Sequence, residues 1–378
     1  MTPTEETSIV FGGIRKEHSV NHTRVSIVMA GLLLLSLALS GCQSGSPFPL
    51  SEPGAYDYGI HLSHDVVDTT RADRQLSVQV WYPAVTPDDA TPSDGNYNYE
   101  PDLSGAPYPL ILCSAKLGGY FGYHLASHGF VVAGVNGQDS HPRWGSWLID
   151  YPLDFLAALN YIASTPLEGL EGMIDAEHAG VMGYSFDGYV ALAMSGARVD
   201  PDFYLSQCAN AATMSPALPS WWITCISDMT GGWDAFVANA GSAITTSDNG
   251  LWQPMTDKRI RAVMPMAPEG AWLFGERGLA VADRPTLIIG ATLDDINIYD
   301  VEAAYIYEHL GTRDKSMISF VGEDHMMIFN TAPRDRMKHF AVAFFGYHLQ
   351  GRNNYASYFS KRFVARQTGL AWGVYQGK

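Results

Sequence analysis

Short apolar runs alternate with stretches of helical periodicity along most of the chain. The runs at 76–82, 109–114, 130–135, 179–183, 262–267, 286–290 and 317–321 are rich in β-branched and other apolar residues at consecutive positions. That pattern predicts strands buried on both faces. Segments 153–164, 186–195, 301–310 and 333–349 carry apolar residues at helical spacing instead. Strands and helices taking turns predict the α/β class, a mostly parallel central sheet with helices on both faces. One stretch breaks the rhythm. Over 197–258 no strand pattern recurs, and the segment holds Trp221, Trp222, Trp233 and Trp252. A structureless loop of that length is unusual in a compact domain. It reads as an inserted helical cap or lid over the sheet edge where ligands bind, with a plain surface insertion as the alternative.

A different apolar pattern occupies the N-terminus. Arg15, Lys16 and Arg24 precede an almost uninterrupted apolar run over 25–39, which ends in Leu39-Ser40-Gly41-Cys42. A basic region, an apolar core and small residues before a cut make a secretory signal. The ending resembles the lipobox of bacterial lipoproteins, which implies cleavage after residue 41, lipidation of Cys42 and an exported, membrane-anchored envelope protein. A transmembrane anchor is the alternative, although 25–41 lies at the short end of what spans a bilayer. The expected organisation is a signal over 1–41, a Ser/Gly/Pro-rich tether over 42–57, the α/β domain over 58–350 and a C-terminal tail over 351–378.

With 47% apolar and 16% charged residues, the 378-residue chain can bury a large core. Its net charge of −16 argues against nucleic acid or a strongly anionic surface as partner. Cys113 sits inside a strand pattern and is expected as a buried, inert thiol. Cys208 and Cys225 share the insertion and are candidates for a disulfide in an oxidising compartment. The sequence has no CxxC or HExxH pattern, so neither a metal nor a cofactor is expected.

Three loops carry residues suited to acyl transfer, which needs a nucleophile, a base, an acid to orient the base, and donors for the oxyanion. The strand pattern at 179–183 runs into Gly183-Tyr184-Ser185-Phe186-Asp187-Gly188 and then a helical pattern, the setting of a nucleophile elbow. The usual second glycine is displaced by one place, with Asp187 standing where it is expected. Asp294 and Asp295 follow the strand pattern 286–290. His325 follows 317–321, in Gly322-Glu323-Asp324-His325. The chain order Ser, Asp, His is that of the α/β-hydrolase fold. Asp294, Asp295, Glu323 and Asp324 compete as the acid. Adjacent side chains on an extended loop point apart, which disfavours Asp324; Glu323 would have to fold back on a short loop; the spacing from the strand end favours Asp294. Among the histidines, His141 is the other one placed to reach a pocket. Tyr120, Phe121, Trp144 and Trp147 are candidates for an apolar cleft.

These segments resemble the dienelactone-hydrolase-related and platelet-activating-factor-acetylhydrolase-like branch of the α/β hydrolases, whose relatives include bacterial polyester hydrolases. The likeness is carried by DTTRADRQLSVQVWYPA, LASHGFVVAGVN, YPLDFLAALNYI, IDAEHAGVMGYSFDGYVALAMSGAR, RPTLIIGATLDD and GEDHMMIF, spanning 58–351. The resemblance implies an α/β-hydrolase fold with a Ser185–Asp294–His325 triad and the backbone N–H groups of Leu117 and Phe186 as oxyanion donors. It also implies hydrolysis of small, lipid-like or polyester-type carboxylic esters, with thioester or peptide cleavage as near alternatives. A ligand-binding lipoprotein without activity is the alternative from another class. The chain departs from the branch at Ser114-Ala115-Lys116-Leu117-Gly118-Gly119, where Ser-His-Gly-x-Gly-Gly is usual. Lys116 and Asp187 are expected either to pair or to obstruct the pocket.

Overall fold

All seven predicted strands are present, and they belong to one ten-stranded mixed sheet. In chain order the strands are β1 (Asp57–Asp68), β2 (Arg74–Val85), β3 (Glu100–Pro101), β4 (Tyr108–Ser114), β5 (Val131–Gly137), β6 (Ile174–Tyr184), β7 (Ile260–Met266), β8 (Thr286–Ala291), β9 (Lys315–Phe320) and β10 (Leu370–Trp372). Across the sheet they run β1-β2-β5-β4-β6-β7-β8-β9-β10, with the short β3 added to β2. The central strands β5, β4, β6, β7, β8 and β9 are parallel. β1, β2 and β10 are antiparallel to their neighbours. The computed structural model describes residues 46–91, 95–137, 146–210, 213, 232–247 and 249–377.

Alternate residues of each central strand feed two separate cores. Leu110 and Leu112 of β4 face one, Ile111 and Cys113 the other; Val181 and Met182 of β6 divide in the same way. Consecutive apolar positions are therefore needed, because neither face meets water. The first face is covered by α2 (Trp147–Ser164) and α3 (Phe186–Met194), with α6 (Ala271–Leu279) and α7 (Ala303–His309) further along. The second is covered by α1 (Ala115–Ser127) and α8 (Thr331–His348). The insertion contributes α4 (Pro201–Asn210) and α5 (Gly232–Ala240). Its described aromatics Tyr204, Trp233, Phe236 and Trp252 pack into the first core, with Tyr204 on Trp233 at 5.2 Å and Phe236 on Trp252 at 5.4 Å between ring centres.

Both ends of the domain differ from the expected limits. Phe48 and Leu50, assigned to the tether, are buried against α8, and the compact unit runs from Phe48 to Lys378. Three histidines hold this entry segment. Leu50 N–H donates to His339 Nδ1 at 3.1 Å; His124 and His128 contact the carbonyls of Leu50 and Glu52 through Nε2 at 2.9 and 3.0 Å. At the other end, β10 pairs with β9 inside the expected tail. Three residues are too few to display a strand period. β1 also went unpredicted, because its mixed burial breaks the alternation.

The connection after β4 leads to β5 on one side and the connection after β6 leads to β7 on the other, which opens a crevice beyond the carboxyl ends of these two neighbouring strands. Ser114 and Ser185 stand at those two ends.

Candidate active site

Ser185 occupies the turn between β6 and α3 with φ 58° and ψ −122°. This is a strained conformation for a residue with a side chain, and such strain concentrates at functional sites. The turn exists because its flanks are glycine. A Cβ on Gly183 would lie 1.8 Å from the Asp187 carbonyl oxygen. Gly188 does the work expected of the glycine one place earlier: a Cβ there would lie 2.8 Å from the Cα of Pro268, so its absence lets α3 close on the loop after β7.

Ser185, His325 and Asp294 meet in one hydrogen-bonded chain. His325 Nε2 lies 2.8 Å from Ser185 Oγ, and Nδ1 lies 2.8 and 3.0 Å from the two oxygens of Asp294. Both are buried, Asp294 at 6% and His325 at 7% exposure. Asp294 Oδ1 also accepts the N–H groups of Ile296 (3.0 Å) and Asn297 (2.7 Å), which fixes the carboxylate before the imidazole meets it. Asp295 and Asp324 point to solvent; Asp324 caps its own turn through Met326 N–H. The two loops are joined to each other, since Leu293 N–H donates to Glu323 O at 2.9 Å and Gly322 N–H to Thr292 Oγ1 at 2.9 Å.

Two supports were not anticipated. Tyr184, next to Ser185, donates its hydroxyl to the His325 carbonyl at 2.6 Å, and burial raises the pKa of that phenol. Asn297 Nδ2 donates to the Ala267 carbonyl at 2.8 Å and so ties the acid loop to the end of β7. Neither has a sequence signature, since each acts through a main-chain carbonyl.

A cleft of about 240 Å³ opens over Ser185 and His325, lined also by Lys116, Leu117, Tyr120, Tyr184, Asp187, Met326, Ile328 and Phe329. Of the described aromatics expected there, only Tyr120 lines it. Phe121 turns the other way on α1 into the core, Trp147 packs on Phe186 with ring centres 6.0 Å apart, and Trp144 lies outside the described residues. The described residues of the insertion contribute nothing to this lining.

Helix α1 begins directly after β4, with Ser114 as its cap. Ser114 Oγ accepts Leu117 N–H at 3.2 Å and donates to Asp187 Oδ2 at 2.5 Å. Of the two expected oxyanion donors, Leu117 N–H is thus occupied, while Phe186 N–H belongs to the first turn of α3, where no intrahelical acceptor exists. Of the two arrangements open to Lys116 and Asp187, they form no ion pair: Asp187 bonds Ser114, and both line the cleft. Burial raises the Asp187 pKa, against the opposing effects of the Ser114 hydrogen bond and the Lys116 charge. Glu269, on the loop after β7, is pushed up to about 7 by burial and by the charge of Asp187.

Cys113 is a buried thiol, raised by desolvation, and Cys208 is a half-buried free thiol on α4. Cys225, Cys42 and His141 lie outside the described residues. No protein-family model matches the chain, and no curated protein matches it.

Proposed function

We infer that this chain is a serine hydrolase of the α/β-hydrolase fold that cleaves carboxylic esters through an acyl-enzyme. The observation that carries this reading is the Ser185–His325–Asp294 chain at the carboxyl ends of β6, β9 and β8. His325 Nε2 takes the proton of Ser185 Oγ as that oxygen attacks the ester carbonyl, and Asp294 holds the imidazolium that forms. Phe186 N–H faces the developing oxyanion. His325 then returns the proton to the leaving alcohol. A water molecule, deprotonated by the same nitrogen, releases the acid and restores Ser185.

The cleft volume is below the roughly 300–1,000 Å³ of sites for drug-sized ligands, so it suits a short acyl group. The remainder of the ester would lie outside, where Leu293, Met326 and Phe329 are 63%, 50% and 47% exposed. Residues 197–258 would be the cap insertion of such a fold. Cys42 would carry a lipid anchor and place the enzyme in the cell envelope, two acyl chains being enough for stable attachment.

A second reading is a weakly active or purely ligand-binding lipoprotein, favoured by the occupied N–H of Leu117. Treatment with a fluorophosphonate separates the two. The hydrolase reading expects stoichiometric labelling at Ser185, lost in Ser185→Ala and strongly slowed in His325→Ala. An unlabelled, folded wild-type protein would support the binding reading.

A further inference from the structure

Ser114 closes β4 and Asp187 stands in the first turn of α3, and neither has a step in the mechanism above. They are bonded to each other and, through Ser114, to Leu117. Ser114 O–H donates to Asp187 Oδ2, and Leu117 N–H donates to Ser114 Oγ at 3.2 Å. Chemistry fixes the direction of both bonds. An ionised carboxylate only accepts and a main-chain N–H only donates, so the hydroxyl between them gives its proton to Asp187 and turns a lone pair on Leu117. Leu117 and Asp187 both line the cleft over Ser185, so this chain of bonds borders the reacting atoms. It depends on the departure in the elbow. A glycine at position 187 would leave Ser114 O–H without that acceptor and free to rotate. Of the two N–H groups suited to an oxyanion, Phe186 N–H is open and Leu117 N–H is engaged by Ser114. A bond of 3.2 Å lies at the long end of the N–H···O range, whereas a bond to a developing oxyanion is charge-assisted and roughly twice as strong. Leu117 N–H can therefore change partners as charge builds up, but only by releasing Ser114.

We propose that Ser114 and Asp187 are positioning residues that clasp the Leu117 N–H, so that the second oxyanion donor is engaged only in the transition state and only by breaking its bond to Ser114. This rests on the hydrolase reading. The substrate carbonyl first meets Phe186 N–H alone, and the clasp subtracts the strength of one neutral hydrogen bond from what Leu117 adds. The clasp thus restrains the rate, and opening it should make the enzyme faster.

The test measures hydrolysis of p-nitrophenyl butyrate by the purified full chain in detergent. Ser114→Ala keeps the carboxylate and removes the clasp. Its kcat should rise about fivefold, a change of about 1 kcal/mol. KM should change by less than about twofold, because the freed donor acts on the transition state. The same substitution removes the cap of α1 and should lower the urea midpoint. A faster but less stable enzyme is not what structural damage produces. Ser114→Thr keeps the hydroxyl and should return kcat toward the wild-type value. A second pair separates the clasp from the charge of Asp187. Asp187→Asn loses the charge but can still accept Ser114 O–H through its amide oxygen, whereas Asp187→Ala loses both, so the alanine variant should gain more. That pair carries the comparison if Ser114→Ala does not fold. An unchanged or lower kcat in folded Ser114→Ala, or equal gains in Asp187→Asn and Asp187→Ala, overturns the proposal. Fluorophosphonate labelling of wild type and Ser114→Ala runs alongside. Labelling of wild type without a gain in Ser114→Ala removes only this inference, whereas absent labelling of both folded proteins removes the hydrolase reading and this inference with it.

Discussion

Asp294 and Asp295 are neighbours in the chain with opposite surroundings. Asp294 is buried and receives His325 and two backbone N–H groups; Asp295 is exposed. Asp294→Asn would present an amide to Nδ1 and favour the wrong tautomer, so kcat should fall by about 10⁴. Asp295→Asn should cost about tenfold at most, and steady-state kinetics on the two folded variants checks the pair. A second test concerns Glu269, whose pKa of about 7 lies above the ordinary 4.5. Between those values the folded chain holds a proton that the unfolded chain has lost, so stability falls as pH rises through 7. Glu269→Gln removes that loss. Urea unfolding should find the variant more stable than wild type at pH 8 and little different at pH 4. The meeting of Ser185, His325 and Asp294 was legible in the sequence, because each stands just past a recognisable strand. Its supports were not. Tyr184, Asn297 and Ser114 work through contacts between loops distant in the chain, and nothing in their local sequence distinguishes them from ordinary turn or strand residues.

At the scale of elements, the central strands were readable because burial on both faces leaves an unbroken apolar signal, as Leu110 to Cys113 illustrate. The entry segment was not. Phe48-Pro49-Leu50 looks like linker chemistry, and its burial depends on His124, His128 and His339 supplied by α1, the turn after it and α8. His339 accepts Leu50 N–H only while Nδ1 is unprotonated, and it packs on Phe48 and Phe363 at 5.4 and 5.1 Å. Burial lowers the pKa of His124 and of His339 to about 3, with neighbouring histidine charges acting in the same direction. Below pH 6.5 the unfolded chain therefore takes up protons that the folded one refuses, and stability is lost progressively as pH falls toward 3. His339→Ala should cost about 3 kcal/mol at pH 7 through the lost hydrogen bond and the cavity. It should also flatten the acid dependence below pH 6.5. Chemical denaturation at pH 7 and pH 5 measures both effects; an unchanged slope with pH would assign the acid sensitivity elsewhere.

For the whole molecule, the two edges of the sheet are finished differently. β1 closes one side with a long antiparallel hairpin, and β10 closes the other with three residues. That short cover is reinforced, since Ser319 Oγ donates to Gly373 O at 2.7 Å and Tyr375 N–H to Tyr299 at 2.7 Å. A chain ending after residue 366 would leave β9 with an open row of backbone donors and acceptors beside an apolar core. The truncated protein should aggregate on mild heating, and light scattering against the full chain reads this directly. The histidine-held entry segment has a further consequence, in the order of events during folding. The Leu50–His339 hydrogen bond joins residues 289 positions apart. The first core segment to leave the ribosome thus waits for nearly the last one, and closing so long a loop is slow as well as late. Until α8 is made, Phe48 and Leu50 lack the half of their seat that His339 and Phe340 supply, so the entry segment can be locked in place only when nearly the whole domain has been synthesised.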